Sequence, residues 1–554
     1  MSKTKLIQVS RKLFNNTVNH SIFRKSLLPM VAAIAFSLLY YSCDNKNSEG
    51  SGVPFDPSKD ITITKFEPDS GHVREQVIVY GSNFGSDAEN IKVFFNYVEA
   101  KVVGASKAGD KFLVLVPRLP GDQCVISVRV GGKPTADGLG YEGGKTADTE
   151  NLGTYHYLVA ANITTVAGDG NGQNPGVYDQ GLEKAEFWPT YIAMDHQNNM
   201  FVVTDDRNLV KINVEENTIS SVANWDNARI HPNASPNLQP YTDLIMFGAH
   251  DDNPRDRFTF LDPREGWAPR MRYINSWVTS PEAVKPTYVN TVTGATATYD
   301  DYALPDVGKQ HNWCVWSPYP LRPDDEGKTP DKLTGWYYTL YEDGGTLVRV
   351  DPATWEATIV GLVPSGTTYS AAIHPLRMYE LWIGAGSEAN ASNGFVRGIN
   401  GDEPPTVMGS WNNSICVVDL RDLSFNPNIN TITGVQTRGL LLSGRKLSSS
   451  VTSGTWKDGP IYQAEFNRIR QVNFDPDGNL FVGDCENACL RQIATMADPM
   501  MVTTVIGIPG KKGFQDGSPD EALFRQLHGV VSDKDGTLFV TDWNNGRVRR
   551  VAVE

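Results

Sequence analysis

FRQLHGVVSDKDGTLFVTDWNNGRVRRV, residues 524–551, is one of three stretches of this chain built to a single plan. A leading Phe524 is followed by an apolar run, the turn Asp533-Lys534-Asp535-Gly536, a second apolar run with Phe539, and Asp542. The same order runs from Phe466 through Asp475 and Phe481 to Asp484, and from Phe187 through Asp195 and Phe201 to Asp205. In each, 18 residues separate the leading Phe from the closing Asp. Two short apolar runs joined by a polar, Gly- or Asn-bearing turn predict a β-hairpin. A hairpin recurring at fixed internal spacing predicts stacked units that share one core.

The three units resemble the NHL repeat, a four-stranded β-propeller blade. Each is preceded by a strand and a Gly-rich loop, as in Ile163–Gly168 leading to Ala185-Glu186-Phe187 and Val502–Gly507 leading to Ala522-Leu523-Phe524. The chain stops after three strands of the last unit, while a spare strand sits at 163–167. A ring therefore closes if the early strand completes the last blade and removes its exposed edge. Blades starting near 187, 241, 310, 367, 466 and 524 make six, and seven is the alternative. The expected propeller spans 161–554.

Working outward, residues 1–42 hold six basic side chains and no acid, with an apolar run from Leu27 to Tyr41 and then Ser42-Cys43. A basic start, a run too short to span a bilayer and a small residue before the cut describe a secretory signal. With Cys43 next, it resembles a bacterial lipoprotein signal, in which the Cys is acylated, although Tyr40 and Tyr41 depart from that motif. A plain cleaved signal peptide is the alternative. Residues 43–59 read as a flexible tether, and Asp44 and Glu49 resemble the export signals of Bacteroidetes surface lipoproteins. The whole chain carries 50 Lys+Arg against 64 Asp+Glu, a net charge of −14. Without the leader it is 44 against 64, or −20. So acidic a protein is not expected to bind nucleic acid.

From Ile61, short alternating strands follow one another: Ile61–Phe66, Val77–Tyr80, Ile91–Phe95, Phe112–Val116 and Val125–Val130. Period-2 alternation with regular turns predicts an immunoglobulin-like sandwich. Pro68-Asp69-Ser70-Gly71, the turn Gly81-Ser82-Asn83-Phe84-Gly85 and Val116-Pro117 before Pro120-Gly121 resemble the IPT/TIG family over 60–160, with Tyr155-His156-Tyr157 as the last strand. Phe84 is expected in the core. The fold class is thus all-β, an IPT/TIG sandwich followed by a six-bladed NHL-type β-propeller.

Candidate chemistry is sparse. Four residues past the leading Phe, Tyr191, Arg470 and His528 fall in the innermost strands, where they line the central channel. By weaker alignment Asp243, Asn312 and Tyr369 join that ring. Polar, dissimilar residues at equivalent places are what a ligand pocket requires, although a channel lining that satisfies itself is the simpler reading. All 12 Trp lie at or after 188, with clusters at Trp313-Cys314-Val315-Trp316 and Trp336-Tyr337-Tyr338. Flat aromatic faces suit sugar rings, and inter-blade packing also consumes aromatics. Trp225, Trp267, Trp277 and Trp411 lie in insertions. Asp475–Asn479 and Asp533–Gly536 read as hairpin turns rather than calcium loops. Cys485 and Cys489 flank a short loop and are candidates for a local disulfide. Arg547, Arg549 and Arg550 read as a solvated basic spot. No catalytic residue, metal site or cofactor is expected.

A lipoprotein signal, an IPT/TIG spacer and an NHL-type propeller together resemble accessory surface lipoproteins of Bacteroidetes nutrient-uptake systems. The resemblance implies an outer-membrane protein, lipid-anchored and facing outward, that holds a glycan, or a peptide, beside a SusC/SusD-type importer. The alternatives are a lactonase- or lyase-type propeller with a channel metal, and a scaffold that binds a protein of the uptake complex.

Overall fold

The computed structural model describes residues 52–553, apart from 122, 135–140, 179–180, 250–256, 274–275, 278–286, 290–295, 299–312, 342–345, 363–367, 386–410, 422–439, 447–454 and 498–499. The expected signal, Cys43 and most of the tether lie outside these residues, as does Asn312. The chain divides into two compact units, ending at Leu158 and beginning at Val159.

The first unit is all β. One four-stranded sheet runs Thr62–Glu67, Gln76–Ser82, Lys111–Leu115, Val102–Ala105, and a second runs Lys145–Asp148, Ile126–Val130, Ile91–Phe95, Val98–Ala100. Alternate residues are buried along Gln76–Ser82, Ile91–Phe95 and Ile126–Val130, as period-2 alternation requires. Phe84 is buried edge-on to Phe112, ring centroids 4.9 Å apart. Gly81 lets the backbone of Thr62 approach, since a Cβ there would meet the Thr62 carbonyl oxygen at 1.8 Å. Tyr155–Tyr157 does form a strand, paired with Ser70–Gly71 and Gln123–Cys124.

The second unit contains six sheets of four or five strands among the described residues. Their leading strands are Pro189–Met194, Asn237–Gln239, Val315–Ser317, Thr368–Ile373, Ile469–Phe474 and Leu527–Ser532. Each contacts the leading strand of the next sheet, and Leu527–Ser532 contacts Pro189–Met194 again. The early strand Ala161–Ala167 pairs antiparallel with the final strand Arg547–Val553, from Ala161↔Val553 to Ala167↔Val548, as the sequence predicts. Apolar cores fill the spaces between neighbouring sheets. Phe201 and Val203 of the first pack with Ile245 and Phe247 of the second, and Trp382 of the fourth with Val472 of the fifth.

Two local devices explain why the repeat folds as it does. In the hairpin, Asp475 Oδ1 accepts from Asn479 N at 2.8 Å, and Asp195 and Asp533 do the same for Asn199 N and Thr537 N. The fourth residue of each turn, Asn198, Gly478 or Gly536, counted from Asp195, Asp475 or Asp533, takes the positive φ that such a turn requires. The Asp475 and Asp533 segments are therefore turns, as read from the sequence. The second device is a buried arginine. Arg491 bonds Asp484 at 2.8 Å and Asp458 at 2.6 Å, and Arg549 bonds Asp542 at 3.0 Å and Asp516 at 2.7 Å. Arg549 is fully buried, which corrects the expectation of a solvated basic spot. Arg550 alone of that trio is exposed.

Candidate functional site

Four of the leading strands carry a β-bulge near their first residues. Ladder register is broken between Pro189 and Ile192, Thr368 and Ser370, Ile469 and Val472, and Leu527 and Gly529. Tyr191, Tyr369, Arg470 and His528 fall inside these breaks, where a bulge re-aims a side chain away from the regular pleat. Counted from the hairpin ends at Ile373, Phe474 and Ser532, Tyr369, Arg470 and His528 hold one equivalent position. Tyr191 sits one residue later, and Thr190 takes the matching place. Alignment on the leading Phe hid this offset, because the Phe187 unit is one residue shorter before its second strand.

The four side chains nonetheless meet. Arg470 Nη1 donates to the Tyr191 hydroxyl at 3.4 Å, and the guanidinium lies 4.2 Å from the centroid of the Tyr369 ring. His528 lies 6.2 Å from Tyr191, centroid to centroid, and stacks on Trp543 at 4.7 Å and 24°. Trp543 Nε1 donates to Asp205 Oδ2 at 2.8 Å, pinning the indole. Trp543 and Asp205 are half-buried, whereas Tyr191, Tyr369, Arg470 and His528 are buried. Neither Trp543 nor Asp205 was singled out as a site residue in the sequence. Their signal is the loop after the second strand, which follows Thr204 and Asp542 at the same end as the bulges.

Beside this layer, Gln471 ties three sheets together. Its Oε1 accepts from Ile192 N at 3.0 Å and Val530 N at 3.3 Å, and its Nε2 donates to Ile192 O at 2.7 Å. Gly529 is required here, since a Cβ would fall within 2.9 Å of Thr541, Gln471 and Ile192 side-chain atoms.

Electrostatics set the layer apart. Arg470 has no carboxylate within ion-pair distance among the described residues, and its Nε has no hydrogen-bond partner. Both ring nitrogens of His528 are likewise buried and unpartnered. Burial, then the charges of Arg470 and Arg468, hold His528 well below its ordinary pKa, so it is neutral. Burial raises the Asp205 carboxyl, against the lowering effect of the Trp543 bond. Among the described residues no group of three or more His, Cys, Asp or Glu converges to hold a metal.

The structure does not bring the Trp clusters to this layer. Trp316 lies in the strand Val315–Ser317 and Trp313 two residues before it, and they go to different cores, Trp313 to the one with the fourth sheet and Trp316 to the one with the second. Both are consumed by apolar packing between neighbouring sheets, so the expected sugar platform is corrected: each sheet is covered on both faces, and alternation exposes neither ring. Trp336 is half-buried between the guanidinium groups of Arg322 and Arg349, at 4.4 and 4.2 Å. Tyr337 packs on Phe260 and Trp355. Trp225 lies under Arg207 and Arg229, and Trp267 against Phe201. The side chains of Trp277 and Trp411 lie outside the described residues. Asp243 belongs to the turn after Asn237–Gln239, where its Oδ1 takes a 2.6 Å bond with His196 Nδ1, and it is absent from this layer.

The expected disulfide is also corrected, for Cys485 and Cys489 are both free thiols. Cys489 pairs with Asp484 across the hairpin and shares its surroundings of Asp458 and Arg491. Cys485, one residue past Asp484, lies within electrostatic reach of Arg470, and burial pushes its thiol up to about 12.

Comparison with known proteins agrees with these features. The IPT/TIG domain profile matches residues 62–146, and the NHL repeat profile matches residues 524–551. No curated protein matches the sequence. A structural-genomics protein of unknown function from Bacteroides thetaiotaomicron is 20% identical over 90% of this chain and 100% of its own, at a TM-score of 0.51. An auxiliary nutrient binding protein from the same organism is 19% identical over 90% of this chain and 99% of its own, at 0.47. Another, from Bacteroides ovatus, is 17% identical over 90% and 100%, at 0.46. The chain therefore carries an IPT/TIG domain in its first unit and an NHL repeat in its second, on a fold shared with the first of these Bacteroides proteins.

Proposed function

We propose that the second unit is a closed six-bladed propeller that binds a saccharide ligand at its axial layer, and that the protein is a surface-tethered capture lipoprotein of a nutrient-uptake system. The observation that carries the binding reading is the convergence of Tyr191, Tyr369, Arg470 and His528 from four sheets, with three buried nitrogens left without partners. Buried polar groups are normally satisfied, so a layer holding several in one place is prepared to bond something else. Aromatic faces beside polar groups suit a ring that is apolar on its faces and polar at its edges. The unpaired Arg470 guanidinium makes the layer positively charged, which favours binding of a polar or anionic ligand there over holding a metal cation for lactonase or lyase chemistry.

The tether follows from the sequence: acylation of Cys43 after removal of 1–42 would leave the polar segment before the sandwich as a leash on the outer membrane, beside a SusC/SusD-like importer. Metabolic labelling with an alkyne-bearing fatty acid tests this. Label is expected on the native chain and absent from Cys43→Ala, and equal labelling of both would overturn it. Calorimetry with full-length protein and a panel of neutral and acidic oligosaccharides tests the binding reading. Saturable binding abolished by Tyr191→Ala with Tyr369→Ala is expected. No binding by any saccharide, with the propeller melting cooperatively, would overturn it.

A further inference from the structure

Three fully or nearly fully buried arginines lie in the last two repeat units, and two of them are satisfied in the same way. Arg491 directs its Nε and both terminal nitrogens to Asp458, Asp484 and the carbonyls of Lys457 and Glu465. Arg549 directs the same atoms to Asp516, Asp542 and the carbonyls of Gln515 and Leu523. Each is a guanidinium saturated by two carboxylates and two backbone oxygens. Arg470 is 6% exposed and has one long bond to a phenol, no carboxylate within ion-pair distance among the described residues, and an Nε with no partner. A buried charge costs several kcal/mol unless it is paired, and of the three buried arginines among the described residues two are paired with carboxylates and Arg470 is not.

We propose that the axial layer selects a carboxylate-bearing ring, an acidic sugar, whose carboxylate is the missing partner of Arg470. This rests on the saccharide-binding reading above and names its ligand class. A planar guanidinium offers a two-pronged donor edge that matches a carboxylate. Arg468, the second cation acting on His528, is paired with Glu486 at 3.4 Å, which leaves Arg470 as the cation without a carboxylate. A single guanidinium suits a single negative charge better than a phosphate dianion. Neutral His528, 4% exposed, presents one ring nitrogen as donor and the other as acceptor, which fits a hydroxyl beside the carboxylate. The Tyr369 ring lies 4.2 Å from the guanidinium, the Tyr191 ring 6.2 Å from His528, and Trp543, held by Asp205, stacks on His528.

The test is calorimetry on the full-length protein with four probes: galacturonic acid oligomers, the matching neutral galactose oligomers, benzoate and sulfate. Acidic oligomers are expected to bind roughly 10–100-fold more tightly than neutral ones, the range of a charge-assisted contact. Arg470→Met should remove that preference while neutral oligomers still bind, and Arg470→Lys should restore only part of it. Equal binding of acidic and neutral oligomers by the native protein would overturn the carboxylate assignment and leave the saccharide reading standing. Sulfate binding as tight as that of the acidic oligomers would also overturn it. Benzoate binding without any sugar would keep the carboxylate and overturn the sugar. No binding of any probe, with a cooperative melt intact, would overturn both.

Discussion

Gln471 and Ile192, 279 residues apart, exchange two hydrogen bonds: the Ile192 N–H donates to the Gln471 side-chain oxygen, and the Gln471 amide donates back to the Ile192 carbonyl. The same oxygen also accepts from Val530 N. One side chain thus satisfies the bulged backbone of two other leading strands. Gln471→Leu leaves two backbone donors and one acceptor buried without partners. It is expected to cost about 2–5 kcal/mol, read as a lowered midpoint of the propeller transition in scanning calorimetry. An unchanged midpoint would show that other groups take over these bonds.

The arginine clamps predict a sharp asymmetry between single and double substitutions. Asp484→Ala leaves Arg491 buried with one carboxylate, and a loss of about 3–5 kcal/mol is expected. Replacing Arg491 by Met as well removes the stranded charge, and the double variant should regain part of the loss in urea titrations. Arg491→Lys should not rescue, because an ammonium cannot serve five donor directions at once.

His374 gives the fold a defined response to acid. Its Nδ1 accepts from Leu376 N and Arg377 N, both at 3.1 Å, so the proton sits on Nε2, which donates to Thr495 Oγ1 at 3.0 Å. Burial first, and Arg377 second, lower its pKa to about 3, against about 6.5 in the unfolded chain. The folded state therefore refuses a proton that the unfolded state accepts. The contribution is complete above about pH 6.5 and falls by roughly 1.4 kcal/mol per unit as the pH drops toward 3. Melting midpoints of native protein and His374→Gln between pH 7 and 4.5 check this, the variant having the flatter profile. Parallel profiles would refute it.

Trp313 separates structure from binding. It is buried among Tyr338, Leu340, Leu381 and Ile383, with its Nε1 3.4 Å from Thr368 Oγ1. Trp313→Ala should cost about 3–5 kcal/mol. Ligand affinity measured well below the new melting midpoint should stay within about twofold of the native value. A large affinity loss in a well-folded variant would return this residue to the site.

Much of the fold is legible in local sequence because its determinants are local. Asp475, Asn479 and Gly478 build their own turn within five residues, and the 18-residue spacing from Phe466 to Asp484 and from Phe524 to Asp542 follows from two strands and that turn. The spare strand at 163–167 could be matched to the missing one because a ladder edge has a known complement. Arg470 and His528 could be placed together because the repeat carries their register. Tyr191 shows the limit, since a one-residue difference before its second strand shifts the register without altering the motif.

By itself the sequence determined the all-β class, the repeat, the pairing of the early strand with the last one, and the leading strands on which Tyr191, Arg470 and His528 lie. Only the tertiary structure decided which aromatics and charges face a neighbour. In a propeller each sheet is covered on both sides, so strand alternation, which elsewhere separates core from solvent, puts Trp313 and Trp316 into two different cores. The same geometry buries Arg549 in a clamp and leaves Cys485 and Cys489 as buried free thiols. It also brings Asp205 to Trp543 across 338 residues. Such pairings depend on which sheet lies next to which, and no spacing along the chain encodes that distance.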